Sequence, residues 1–298
     1  MTKRVASVFR ASIYLLFLVA SLNTHAQSAY HKAIETWQQQ RVEELKAEDG
    51  WLNLTGLFWL KEGKNTFGCG KQNECIFPVG TIAEEAGYFE RVGNIVNIVI
   101  YKSVVATINN QPITQALIYH SDSLKEVMVA ISNLRFHIIS RGDKLGVRLR
   151  YLNNPSLSTF KGISHYTIDS SWRIQALFTP SSDSISITNI LGQETKQRSP
   201  GSISFKIAHN IYKLDVLEGN EQAYFILFGD ATNKHETYGA GRFIYITKPD
   251  MLGNTVIDFN KAYNPPCAYT PYATCPLPPK QNILLLKIEA GEKYINEH

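Results

Sequence analysis

Six prolines between Pro265 and Pro279 restrict this chain more than any other part of it. They lie in the run DFNKAYNPPCAYTPYATCPLPPKQN, residues 258–282. Each proline fixes φ and removes a backbone donor, so the run can be neither a helix nor a central strand. The residues that precede prolines (Asn264, Thr270, Cys275 and Leu277) are pushed toward extended geometry. Phe259, Tyr263, Tyr269, Tyr272 and Leu277 make the run too apolar for a solvated linker. The expectation is a stiff, irregular strap packed on the body of the protein.

Upstream, Lys3, Arg4 and Arg10 precede an apolar stretch, 13–20, which is followed by Thr24-His25-Ala26. This pattern predicts a secretory signal over 1–26 and an exported mature chain, periplasmic or extracellular. Between Ala29 and Glu48, Tyr30, Ile34, Trp37 and Leu45 repeat at helical spacing, and Asp49-Gly50 closes the segment. From Trp51 onward short runs such as RFHIIS, GVRLRYL, WRIQALF and AYFILFG alternate with turn residues, including Asn109-Asn110, Arg141-Gly142-Asp143 and Glu218-Gly219-Asn220. With no glycine-rich nucleotide loop and no recurring helix, the pattern predicts a mainly β chain. Its expected form is an antiparallel sandwich or barrel-like sheets with one N-terminal helix, as a single β-rich unit over 27–298.

The strap run followed by IEAGEK, 288–293, resembles the C-terminal signature of domain of unknown function 1684, a bacterial and archaeal family. The likeness extends to GWLNLTGLFWL, GVRLR, TFKG, SWRIQALF and GDATNKHETYGAGRF. Two features depart from the pattern: the GCGKQNEC segment, and Tyr151 where an aspartate is expected after the arginine-rich strand. The resemblance implies no activity, substrate or catalytic residue.

Charge narrows the partners. The 30 basic residues less the three in the leader leave 27 against 26 acidic ones. That balance argues against nucleic acid or an anionic membrane surface as partner, and the mature chain has no expected membrane span. Protein partners are not indicated. The four cysteines fall into close pairs, Cys69 with Cys75 and Cys267 with Cys275, and export makes two disulfides the expectation. Neither pair has zinc-ligand spacing, and no cofactor or metal motif is present. Asp230, His235 and Glu236 match no ligand pattern, and Ser171 and Ser199 lack nucleophile-elbow context.

The residues able to carry recognition are polar ones set at unusual places. Arg148 and Arg150 share one face of GVRLRYL, so that face is cationic. Arg242 follows Gly239-Ala240-Gly241, and Asp258, Asn260, Tyr263 and Asn264 open the strap. Arginine forks suit carboxylates, phosphates and sugar acids. One reading is therefore a cleft bordered by the strap that binds a small polar or anionic ligand, with a saccharide among the candidates, through Arg148, Arg242, Asp258, Asn260, Tyr263 and Asn264. A second gives Asp258 or Asp230 acid or base duty beside Arg242, in a metal-independent hydrolase or lyase. A third makes the strap an architectural clasp or interaction module, with Arg242 simply paired to Asp230 or Asp258.

Overall fold

The computed structural model describes residues 27–123 and 125–294, so the signal expected over 1–26 lies outside the described residues. Helix α1 covers 27–46, close to the segment that the apolar spacing picks out, and ends in a turn at 47–50. Ile34 and Leu45 on its inner face are 1% and 0% exposed. Gly50 completes the stop, because a Cβ there would overlap the carbonyl oxygens of Glu44 and Leu45.

Eleven strands follow: β1 (Leu54–Trp59), β2 (Gly63–Gly68), β3 (Cys75–Ile76), β4 (Gly87–Val92), β5 (Ile95–Ile100), β6 (Ala106–Ile108), β7 (Gln111–Ile113), β8 (Gln115–His120), β9 (Val129–Ile131), β10 (Leu134–Arg141) and β11 (Lys144–Tyr151). They build a six-stranded sheet, β1-β11-β10-β9-β6-β7, and a five-stranded sheet, β3-β2-β4-β5-β8. All pairings in the two sheets are antiparallel except β2 with β3. Their shared core contains Phe67, Phe89, Phe136, Ile138, Val147 and Leu149, with Phe67 stacked on Phe89 at 4.7 Å between centroids. The expected turns hold this part together. Asn109 and Asn110 take positive φ between β6 and β7, and Gly142 does so between β10 and β11.

The second group comprises β12 (Arg173–Pro180), β13 (Ser184–Thr188), β14 (Glu194–Arg198), β15 (Gly201–Ile207), β16 (Asn210–Glu218), β17 (Ala223–Phe228), β18 (Arg242–Thr247) and β19 (Asn254–Asp258). Six of these form the order β18-β17-β16-β15-β12-β19, with β13 and β14 paired as a separate hairpin. The two end strands curl back toward each other, where Thr255 Oγ1 on β19 donates to the Thr247 carbonyl of β18 at 2.7 Å. The sheet is nearly a closed barrel, filled by Ile203, Leu214, Ile226, Phe228, Ile244, Ile257 and Phe259. The chain is thus mainly β, as the sequence pattern predicts.

The strap leaves β19 and runs over the outside of this barrel. Tyr263 exchanges two backbone hydrogen bonds with Phe243, the Leu277 N–H reaches the Thr188 carbonyl, and the Asn282 amide donates to the carbonyls of Asp215 and Leu227. Side-chain and single backbone bonds thereby replace the ladder that prolines forbid. The strap's Ala273 and Cys275 pack into one apolar cluster with Leu217, Leu227 and Phe243 of the barrel, with Trp51 and Cys267 against them. On its other side Thr270 Oγ1 donates to the Leu54 carbonyl of β1 at 3.0 Å. The strap is therefore wedged between barrel and sandwich.

Cysteine pairing differs from expectation at one of the two sites. Cys267 and Cys275 are joined as a disulfide, but Cys69 and Cys75 are free thiols. The reason is direction: Cys69 Sγ contacts the Ile82 carbonyl at 3.0 Å, whereas Cys75 is 1% exposed and faces the sandwich core. Burial pushes the Cys75 thiol up to about 12, so it behaves as a small apolar side chain.

Candidate functional site

The residues singled out from the sequence occupy four separate places. Arg242 is 0% exposed, and its Nη2 donates to Asp230 Oδ2 at 2.7 Å and to the Ile288 carbonyl at 2.9 Å. Its Nη1 donates to the Ala290 carbonyl at 2.5 Å. Gly241 makes the approach possible: at φ +89 a Cβ would strike the Phe228 carbonyl and Pro278. The pair ties strand β18 to the returning C-terminal tail, and both side chains are sealed from solvent.

Asp258 and Asn260 sit together at the base of α1. The Tyr30 hydroxyl donates to Asp258 at 2.9 Å, and the Asn260 amide donates to the Asp169 carbonyl at 2.8 Å and to Asp258 at 3.1 Å. Tyr263 and Asn264 belong to a third network centred on Glu292, a residue within the IEAGEK motif that sequence reasoning did not single out. Arg41 of α1 lies over the Tyr263 ring at 4.5 Å and reaches Glu292 at 3.3 Å. The Asn264 N–H and the Tyr269 hydroxyl also donate to Glu292, at 2.7 and 2.9 Å. Burial drives the Glu292 carboxyl above its ordinary value, against the pull of Arg41 and these donors. These three networks anchor helix, strap and tail to one another.

Arg148 is elsewhere, on the outer face of the sandwich. Period-two alternation sends Val147 and Leu149 of β11 into the core and leaves Arg148 and Arg150 on the opposite face. The β10–β11 register adds His137 beside Arg148 and Arg135 beside Arg150. Arg141, at the turn end of β10, shares that face. Alternation through RFHIIS and the tight turn at Gly142 is the signal by which His137 and Arg141 could have been read from sequence.

This cationic face meets the strap. The Arg148 guanidinium lies 5.4 Å from the Trp51 ring centroid, and Arg141 Nε donates to Thr274 Oγ1 at 3.0 Å. Gln193, between β13 and β14, donates to the Arg141 carbonyl at 3.2 Å. Arg148, Arg150 and His137 are 8%, 7% and 3% exposed. Among the described residues neither Arg148 nor Arg150 has a hydrogen-bond or ion-pair partner, and the Nε of each is sealed and unpartnered. The nearest carboxylate to the cluster, Glu126, approaches His137 Nδ1 at 3.6 Å and is itself mostly exposed.

The electrostatics follow from that geometry. Burial, then the neighbouring Arg141 and Arg150, lowers Arg148 to about 10, so it remains charged at neutral pH. Burial and the three arginines lower His137 to about 4, which keeps its imidazole neutral there. The seam therefore presents several guanidiniums and one neutral ring, with the opposing charge supplied only from its exposed margins. Among the described residues no group of three or more His, Cys, Asp or Glu is arranged to hold a metal ion. Likewise no helix among them is long and apolar enough to cross a membrane.

Residues 158–293 match a family model described as Protein of unknown function (DUF1684). The DUF1684 resemblance is shown over that segment. It takes in the barrel, the strap and the tail, whereas GWLNLTGLFWL and GVRLR precede the matched residues. No curated protein matches the chain. A solution NMR structure of an uncharacterized protein of Haloarcula marismortui aligns at 26% identity over 47% of this chain and 80% of that one, with a TM-score of 0.40. The FhaA FHA domain, crystallised with the intracellular domain of Rv3910, aligns at 14% identity over 32% of this chain and 97% of that one, with a TM-score of 0.22.

Proposed function

We propose that the protein is an exported binding module that holds a small anionic ligand in the seam between the outer face of β10–β11 and the strap. The observation that carries this reading is the pair Arg148 and Arg150, both more than nine-tenths buried and without an anionic partner among the described residues. Taking a charge out of water costs several kcal/mol unless it is paired, on the order of the whole stability margin of a domain. A ligand that brings negative charge into the seam offsets that cost. Export is supported by the leader-like residues before Gln27 and by the Cys267–Cys275 disulfide.

The strap has a second duty in this reading. Its bonds from Thr270 to Leu54 and from Arg141 to Thr274 hold sandwich and barrel in contact, so the ligand site exists only while the strap is seated.

The test is a calorimetric and thermal-shift screen of the mature protein with small oxyanions at fixed ionic strength. A ligand at one hundred times its Kd stabilises by about 2.7 kcal/mol, equivalent to a Tm rise of roughly 5–10 °C for a chain of this size. Replacing both arginines, Arg148→Gln with Arg150→Gln, is expected to abolish that rise while leaving the ligand-free protein as stable as before or more so. A double variant that is strongly destabilised, in a wild type that responds to no anion, would make these arginines structural and end the proposal.

A further inference from the structure

We infer that the ligand's head group is a doubly charged tetrahedral oxyanion, phosphoryl or sulfuryl, in preference to a monocarboxylate. This rests on the reading of the seam as an anion site. Charge is the first argument. Arg141, Arg148 and Arg150 line one face, and the carboxylates facing them are Glu126, 60% exposed and nearest to His137, and the exposed Asp49 at the end of α1. Neither carboxylate lies within ion-pair distance of a guanidinium in the cluster. A single negative charge leaves most of this field unbalanced, whereas a dianion approaches neutrality.

Donor geometry is the second argument. Arg148 and Arg150 are two residues apart on one strand face, about 7 Å between Cα atoms, so their forks stand side by side. The Arg148 guanidinium lies over the Trp51 ring, 5.4 Å from its centroid, and its terminal nitrogens have no hydrogen-bond partner among the described residues. Arg141 enters from the turn end, with Nε on Thr274 and Nη1 on the Ser140 carbonyl, which leaves Nη2. Thr274 comes from the strap on the opposite wall. Its oxygen accepts from Arg141, and its own hydrogen has no acceptor among the described residues. One arginine fork already satisfies the two coplanar oxygens of a carboxylate. Three guanidiniums and a hydroxyl arriving from both walls suit the three or four oxygens of a tetrahedral group.

Isothermal titration of the mature chain with sulfate, phenyl phosphate, acetate and benzoate tests the inference. Sulfate and phenyl phosphate are expected to bind at least about tenfold more tightly than either monocarboxylate. Phenyl phosphate affinity should rise roughly tenfold between pH 5 and 7.5, as its second proton leaves near pH 6. Sulfate, doubly charged throughout, reports any contribution from His137 over the same range, and its ratio to phenyl phosphate tells the two head groups apart. Arg141→Gln should weaken the dianions about tenfold and leave acetate unchanged. If acetate equals sulfate, the head-group inference is overturned while the anion site stands. If no anion binds, both fall. Weak sulfate binding that survives the Arg148→Gln, Arg150→Gln double substitution would indicate an adventitious ion only, and would also overturn the inference.

Discussion

Replacing Asp230 with asparagine keeps the size of the side chain and removes the charge opposite Arg242, so it measures what that pair contributes. Both side chains are 0% exposed, which leaves Arg242 no route to solvent when its counter-ion goes. Breaking a buried pair by removing one partner costs about 3–5 kcal/mol. Here the lower end applies, for two reasons. Arg242 keeps the carbonyls of Ile288 and Ala290 as acceptors at 2.9 and 2.5 Å. An asparagine oxygen can also retain the bonds from the Thr232 N–H and hydroxyl, now at 2.8 and 2.6 Å. Asp230→Asn should therefore cost about 3 kcal/mol, a Tm loss of roughly 6–12 °C in a chain of this size. Thermal melts followed by circular dichroism, with reversibility checked, provide the assay. Asp230→Leu with Arg242→Met should not recover the loss, because it strips the Thr232 and Ile288 N–H groups and the Ile288 and Ala290 carbonyls of these buried bonds. A Tm change below about 2 °C for Asp230→Asn would refute the structural account of this pair and reopen a chemical role for Asp230.

Two other predictions concern protons and thiols. The unfolded His137 takes up a proton near pH 6.5, whereas the folded one does so only near 4. The unfolded state thus binds more protons between those values, and stability should fall as pH drops through the window, by up to about 3 kcal/mol. His137→Gln should flatten that part of the stability profile, and an unchanged slope would contradict the assignment. For the cysteines, mass mapping should find one disulfide, Cys267–Cys275, and two free thiols, with Cys69 labelled by a thiol reagent before the buried Cys75. Removing the disulfide with Cys267→Ser and Cys275→Ser should cost about 2 kcal/mol, because the loop is short and its prolines already restrict the unfolded chain. A Cys69–Cys75 bond in the native protein would overturn this pairing.

The sequence was most readable where local rules dominate. The spacing of Ile34 and Leu45 marked α1, the turns at Asn109-Asn110 and Gly142 marked hairpins, and the prolines marked a strap without a ladder. Strand order was not readable, since β1 pairs with β11 and β12 with β19 across long stretches of chain. The candidate residues show the same divide. That Arg148 and Arg150 share a face followed from alternation, but their burial under a strap more than a hundred residues away did not. Glu292 illustrates the opposite case. Nothing local distinguishes a glutamate after Gly291, yet helix α1 and the strap converge on it through Arg41, Asn264 and Tyr269.

This division bears on where function resides. Within the matched segment the prominent polar residues are spent on one another: Arg242 on Asp230, Asn260 on Asp258 and Asp169, Asn264 on Glu292 and Lys293. Buried charge without a described partner collects instead on Arg148 and Arg150, ahead of residue 158, on a sheet whose Leu54 and Arg141 bond to Thr270 and Thr274 from inside the match. The proposed site belongs to neither part alone. There the sandwich supplies the guanidiniums and the strap supplies a facing wall through Thr274 on Arg141, so the strength of the proposed charge–anion contacts would depend on how firmly the strap is held. From the barrel side it is held by the Tyr263–Phe243 backbone pair, by the Leu277 N–H on the Thr188 carbonyl and by the Asn282 amide on the carbonyls of Asp215 and Leu227. On that proposal architecture and binding are linked by one physical quantity, the exclusion of water from the arginine face.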